Sequence, residues 1–250
     1  MKNDPQSQQL EEHLSSLNLR FMRENHEDYT QRAAQNQWSP RQYLIHLLEG
    51  EVGHRRENLV QRRLKAARFP VIKTLEQFDW SWPKKVNRQH VVDLFRLQFL
   101  NDHANVIFVG GVGLGKTHLA TALGHAACLR GISVLYTTAV DIINTLVAAQ
   151  AAQRLKQELK RYLSPSLLIL DELGYLPIDK TGADLLFQII SQRYESGSIV
   201  MTTNRPYKKW PEIFNNDSTL TSAILDRVLH HSQTITLTGA SYRMRAPLED

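Results

Sequence analysis

The chain has 250 residues, 42% of them hydrophobic, and a formal net charge of +5. That length predicts one or two domains with a sizeable core, and the mild basic excess permits an acidic partner such as nucleic acid without requiring one. A single cysteine, Cys128, excludes a disulfide framework and a cysteine-based zinc site. No apolar run reaches transmembrane length, and residues 1–9 lack the apolar segment of a signal peptide, so the expected location is the cytoplasm.

Leu10, Leu14, Leu17 and Phe21 fall on one stripe of a helix over residues 10–25, and the polar stretch 24–37 predicts a second short helix. Ser39-Pro40-Arg41-Gln42 is a helix start: Ser39 caps, Pro40 suits the first position and Gln42 completes a capping box. Tyr43, Leu44, Leu47 and Leu48 give that helix an apolar face, and it should run to about Ala67 before Pro70. Residues 1–69 therefore read as a small helical domain for DNA or partner contact. Its end is basic, with Arg55, Arg56, Arg62, Arg63, Lys65 and Arg68 opposed there only by Glu57. Arg55 and Arg62, like Arg56 and Arg63, share a helical face, which is either a solvated surface or a contact for DNA phosphates.

Residues 70–85 read as an aromatic connector without period, and residues 86–250 as a second domain opened by an amphipathic helix from Val86 to Leu100. Val106 to Val109 is a buried strand that breaks into Gly110-Gly111-Val112-Gly113-Leu114-Gly115-Lys116-Thr117-His118. Gly110, Gly115, Lys116 and Thr117 fit the phosphate-binding signature G-x-x-x-x-G-K-[ST]. Glycines let backbone N–H groups turn toward phosphate oxygens, and the following helix offers its positive end to the same anion. Lys116 would reach the outer phosphates of a nucleotide and Thr117 would place a hydroxyl on Mg²⁺. Phe78 in the connector either borders an adenine ring or packs into the core.

A helix from Lys116 to Arg130 ends at Gly131, and strands follow at 132–136, 167–170, 198–203 and 234–237. Thr138 and Asp141 form a capping box for a helical pattern that persists to about Leu163, and residues 181–195 are a further helix. Strands alternating with helices predict a parallel sheet covered on both faces. Asp171-Glu172 ends the third strand: Asp171 would hold Mg²⁺ through its water shell and Glu172 is the candidate general base. Asn204, at the end of the fourth strand, has an amide that can donate and accept toward attacking water or phosphate. Arg227 reads as either a salt-bridge partner or a cation completing a neighbouring subunit's site. His230-His231 lacks the i, i+4 spacing of a helical metal pair and reads as interface or surface. Arg243 or Arg245 reads as a phosphate or DNA contact, or as a solvated tail, and the short C-terminus leaves no room for a helical lid.

Together GGVGLGKTHLA, LLILDELGYLP, TTNRP, AILDRVLHH, TGASYRMR and the connector KAARFPVIKTLEQFDW resemble the IstB family. These are helper ATPases encoded beside the transposase of some insertion sequences, kin to the DnaC-like and DnaI-like helicase loaders of the AAA+ superfamily. The resemblance implies an α/β AAA+ fold with a five-stranded parallel sheet ordered 5-1-4-3-2. It implies ATP and Mg²⁺ as cofactors, self-assembly on duplex DNA as a ring or filament, and recruitment of the partner transposase to its target site. Carried over by position, Lys116 and Thr117 form the first motif, Asp171 and Glu172 the second, Asn204 the sensor and Arg227 the arginine finger. An extra helix lining the DNA path would bring Arg154, Lys156, Lys160 and Arg161. One departure is the polar run Phe214-Asn215-Asn216-Asp217-Ser218, where a glycine-containing turn is expected. A replicative helicase loader is the alternative reading, and a small-metabolite phosphotransferase a more distant one.

Overall fold

The structure is a computed structural model that describes residues 5–244. It divides into two compact units, Met1–Arg62 and Arg63–Asp250, so the division falls seven residues earlier than the boundary expected at 69, inside a continuous helix.

The first unit holds α1 (Pro5–Ser16), α2 (Arg20–Gln35) and most of α3 (Pro40–Ala67). The helix expected over 10–25 is two helices. Asn18 takes a left-handed backbone (φ 55°), which ends α1, so Leu14 turns inward while Leu17 stays 64% exposed. Periodicity alone does not register such a break, because the spacing still matches across it. The capping box at α3 forms as expected: the Ser39 N–H donates to Gln42 Oε1 (2.8 Å) and the Gln42 N–H to Ser39 Oγ (3.3 Å). Leu14, Met22 and Leu47 make the small core. Glu51 is buried beneath it and accepts from the Met22 N–H (3.2 Å) and from Arg55 Nε (2.8 Å). Burial pushes its carboxyl up, but Arg55 and the backbone N–H groups of Met22 and Phe21 outweigh that and hold it below the usual range.

The second unit is a five-stranded parallel sheet of β1 (Asn105–Gly110), β2 (Val134–Thr138), β3 (Leu167–Leu173), β4 (Ser198–Thr203) and β5 (Ser232–Leu237). Its order is β2-β3-β4-β1-β5, which is the implied order read from the other edge. Alternate strand residues enter opposite cores, as the pleat requires. Phe108, Ile169 and Val200 meet α5 (Lys116–Leu129) on one face, with α4 (Arg88–Leu94) beside it. Ile107, Leu168, Leu170 and Met201 meet α6 (Ala139–Ala151), α7 (Leu155–Leu163), α8 (Lys180–Arg193) and α9 (Ser218–His230) on the other. Each such fully buried aliphatic contributes about 1.5–3 kcal/mol.

Two left-handed residues interrupt elements of this unit where the hydrophobic period runs on. Leu97 (φ 62°) ends the helix expected to reach Leu100, and Gln153 (φ 56°) divides the pattern over 139–163 into α6 and α7. Gly131 (φ 80°) closes α5 as expected. In the polar run before α9, Asn215 and Asn216 take φ 53° and 56°, the conformation a glycine would supply, and Asp217 caps the helix through the Leu220 N–H (2.8 Å). Arg193, at the end of α8, is 1% exposed and donates to the carbonyls of Tyr162, Leu163, Pro165, Ser166 and Ser198. Its guanidinium thereby ties the α7–β3 turn to the start of β4, although burial lowers its pKa to about 10. Among the described residues no helix is long and apolar enough to cross a membrane.

Candidate functional site

A cleft of about 500 Å³ opens at the carboxyl end of β3, where Glu172 lines it, beside the loop that follows β1. Its floor is the loop from Gly110 into α5. Gly113 and Gly115 are left-handed (φ 74° and 87°), which turns the chain tightly enough to start α5 at Lys116. Gly110 has no room for a side chain: a Cβ there would run into the Leu237 carbonyl on β5. The second wall is the connector, through Pro70, Val71, Lys73, Phe78, Trp82 and Pro83. Of the two expectations for Phe78, packing into the core is the one the structure shows, and the residue also lines the cleft. It is buried in the core, with its ring edge-on to Trp80 and His118, and it borders the cleft.

Lys116 is 3% exposed and its Nζ donates to the Gly111 carbonyl (2.7 Å). Burial lowers its pKa; the carboxylate of Asp171 opposes this and the nearby Arg243 reinforces it. Thr117 Oγ1 donates to Asp171 Oδ1 at 3.0 Å. Asp171 is 1% exposed and takes two further hydroxyls, Tyr136 at Oδ2 (2.5 Å) and Thr202 at Oδ1. Burial and the bond to Asp171 raise the Tyr136 phenol well above its ordinary value, so it stays a donor. His118 Nε2 donates to the Thr74 carbonyl (2.8 Å), fastening the connector to the first turn of α5.

Glu172 follows Asp171 but faces outward into the cleft. The β3–β4 register shifts between Leu170 and Leu173, and Glu172 sits in the left-handed region (φ 61°) with its N–H on Thr202 Oγ1 (3.0 Å). Such strained backbone concentrates at functional sites. Asn204, just past β4, has a buried Oδ1 without a hydrogen-bond partner among the described residues. Buried acceptors are nearly always satisfied, so this one is open to a ligand or water.

The remaining predicted residues lie elsewhere. Arg227 on α9 does not line the cleft: its guanidinium lies over the Phe187 ring (5.1 Å) and its Nη1 donates to the Ala223 carbonyl (3.0 Å). Arg55 bonds Glu51 and the Asn18 carbonyl (3.0 Å), so that basic segment faces Glu51 as well as Glu57. Arg63 bonds the Gly131 carbonyl (3.0 Å) and Arg161 bonds Glu158 (2.7 Å). Arg56, Arg62, Arg154, Lys156 and Lys160 are exposed. Arg243 lines the cleft, beside Tyr242, whose N–H donates to the Gly113 carbonyl (2.9 Å). Arg245 lies outside the described residues. Sequence reasoning missed Tyr136 and Thr202. Their only signal was a polar residue near the end of an apolar strand adjacent to β3.

The family model for IstB-like ATP binding proteins matches residues 12–249. The chain is 39% identical to the insertion sequence IS232 putative ATP-binding protein of Bacillus thuringiensis subsp. berliner, over 98% of this chain and 97% of that protein. Among solved structures it is similar to the DnaC helicase loader (TM-score 0.53, 23% identity, 66% of this chain and 96% of that one). It is likewise similar to the replication initiator DnaA bound to AMPPCP and single-stranded DNA (TM-score 0.53, 25% identity, 65% of this chain and 49% of that one).

Proposed function

Because the chain belongs to the IstB-like ATP-binding family, we propose that it is an ATPase that assembles with its own copies on duplex DNA and brings a partner transposase to the target site. The observation that carries the hydrolytic part is the pairing of Thr117 with a buried Asp171, while Glu172 alone of the two adjacent carboxylates opens to the same cleft. The loop from Gly110 to His118 binds the phosphates through its N–H groups, and Lys116 turns from the Gly111 carbonyl to the outer phosphates. Glu172 accepts the proton of the attacking water, which the Asn204 amide orients. The oxygens of Thr117 and Asp171 are the hard donors that Mg²⁺ takes, so they fit that ion and would hold it directly or through water. When bound, Mg²⁺ supplies charge neutralisation at the β- and γ-phosphates.

Arg227 is the residue we assign to a neighbour's site, since it lies off the cleft of its own chain. Arg243 contributes positive charge within the same protomer. For DNA the exposed Arg56, Arg154, Lys156 and Lys160 are the stronger candidates, whereas Arg55, Arg62, Arg63 and Arg161 already serve internal partners.

The test is ATP turnover with and without long duplex DNA, alongside sedimentation. Wild type should form large ATP-dependent assemblies with DNA-stimulated turnover, Lys116→Ala should lose nucleotide binding, and Glu172→Gln should trap the assembly without hydrolysis. A monomer with DNA-independent turnover overturns the reading. The likeness to the DnaC helicase loader favours a second reading as a helicase loader. Co-purification with a transposase or with a replicative helicase separates the two.

A further inference from the structure

At the other end of the sheet lies a cluster that the nucleotide chemistry does not use. Helix α8 gives way to Tyr194 and Glu195 before β4, and α9 ends at His230 just before β5. The His231 carbonyl accepts from the Asn105 N–H (2.7 Å) at the start of β1. The cluster therefore lies at the amino ends of the strands, roughly 20 Å, one strand length, from the cleft at their carboxyl ends.

One ring nitrogen of His230, one of His231 and a carboxylate oxygen of Glu195 lie within 4.8 Å of one another, and all three side chains are exposed. Adjacent residues within a helix point about 100° apart and do not meet. Here the helix stops between them: His231 leaves the helical conformation (φ −121°, ψ 82°), and the two rings come to 4.0 Å between centroids. His231 Nε2 faces Glu195 Oε1 at 3.9 Å. Tyr194 Oη is 2.7 Å from His230 Nδ1. With Nδ1–H given to the phenol oxygen, Nε2 keeps its lone pair outward, the arrangement that orients metal-ligating histidines. The C-termini of α8 and α9 both end here, and the negative ends of their dipoles favour a cation.

We propose that His230, His231 and Glu195 form a site for a borderline divalent transition-metal ion of the zinc type, with Tyr194 as the outer partner that orients His230. Two imidazoles and one carboxylate are the ligand set such an ion takes, with the fourth position left to water. Mg²⁺ prefers oxygen donors and does not compete for it. The bound ion joins the end of α8 to the end of α9, the helix that carries Arg227 over Phe187 of α8. The site stands independently of the ATPase reading.

The experiment is a Zn²⁺ titration of the untagged full-length chain, stripped with chelator and read by competition with a chromophoric chelator. Wild type should bind one equivalent that an excess of Mg²⁺ does not displace. His231→Ala should weaken that equivalent by at least tenfold and Tyr194→Phe by about tenfold, while His13→Ala, at an exposed position on α1 of the first unit, retains it. Should His231→Ala fail to fold by circular dichroism, Glu195→Gln, an isosteric change at an exposed side chain, serves in its place. Absence of the equivalent in wild type, or unchanged affinity in both His231→Ala and Glu195→Gln, overturns the proposal.

Discussion

Tyr136 donates its phenol proton to Asp171 Oδ2 at 2.5 Å, from the neighbouring strand β2. The carboxylate is 1% exposed, so the orientation of its two oxygens is set by hydroxyls: Thr117 and Thr202 on one, Tyr136 on the other. Tyr136→Phe removes one of them and leaves a buried carboxylate oxygen short of a partner. We expect a loss of about 1–3 kcal/mol in urea denaturation. We also expect a higher Mg²⁺ concentration for half-maximal turnover, with ATP binding retained. An unchanged Mg²⁺ requirement would assign Tyr136 to stability alone.

Arg227→Ala should reduce turnover by on the order of 10³-fold with ATP binding intact. Mixing it with Lys116→Ala protein should restore activity, since each chain supplies what the other lacks. A mixture as inactive as its components would place Arg227 outside any shared site.

His118 gives the connector a pH dependence. Burial holds its pKa below the ordinary 6.5, with the Thr74 carbonyl working the other way. The unfolded chain therefore takes up this proton first as pH falls, and stability declines with falling pH from about 6.5 down to the lower folded value. His118→Gln removes that contribution. The stability difference between wild type and variant should be flat above pH 6.5 and shift against wild type below it. Parallel curves across that window would contradict the assignment.

Arg193→Ala should cost about 3–5 kcal/mol, because carbonyls of the α7–β3 turn and of Ser198 lose their buried donor. Arg193→Lys should recover only part of this, since one ammonium has three donors and no planar fork. Chemical denaturation at neutral pH decides it, and full recovery by lysine would show that charge rather than geometry matters.

The fold was legible where local chemistry carries its own punctuation. Ser39 with Gln42, Thr138 with Asp141, Pro40 and Gly131 mark helix ends by the hydrogen bonds or dihedrals they alone supply. The phosphate loop and Asp171-Glu172 were legible because their spacing is the chemistry. Asn18, Leu97 and Gln153 were not, since a left-handed residue interrupts a helix without disturbing its hydrophobic period. The role of Tyr136 depends on which strand lies beside β3, and His230 with His231 depends on a helix ending between them. Both are facts of tertiary arrangement that residue spacing does not encode.

The irregular register at the end of β3 gives Asp171 and Glu172 opposite circumstances although they are adjacent. The chain thus provides a carboxylate clamped by its neighbours next to one at liberty to swing. Exchanging their order would preserve every charge and the composition while dismantling both roles. The longer side chain would be crowded among three hydroxyls, and the shorter one would fall short of the cleft. At this point in the molecule the order of two letters, more than their identity, separates a buried carboxylate from an exposed one.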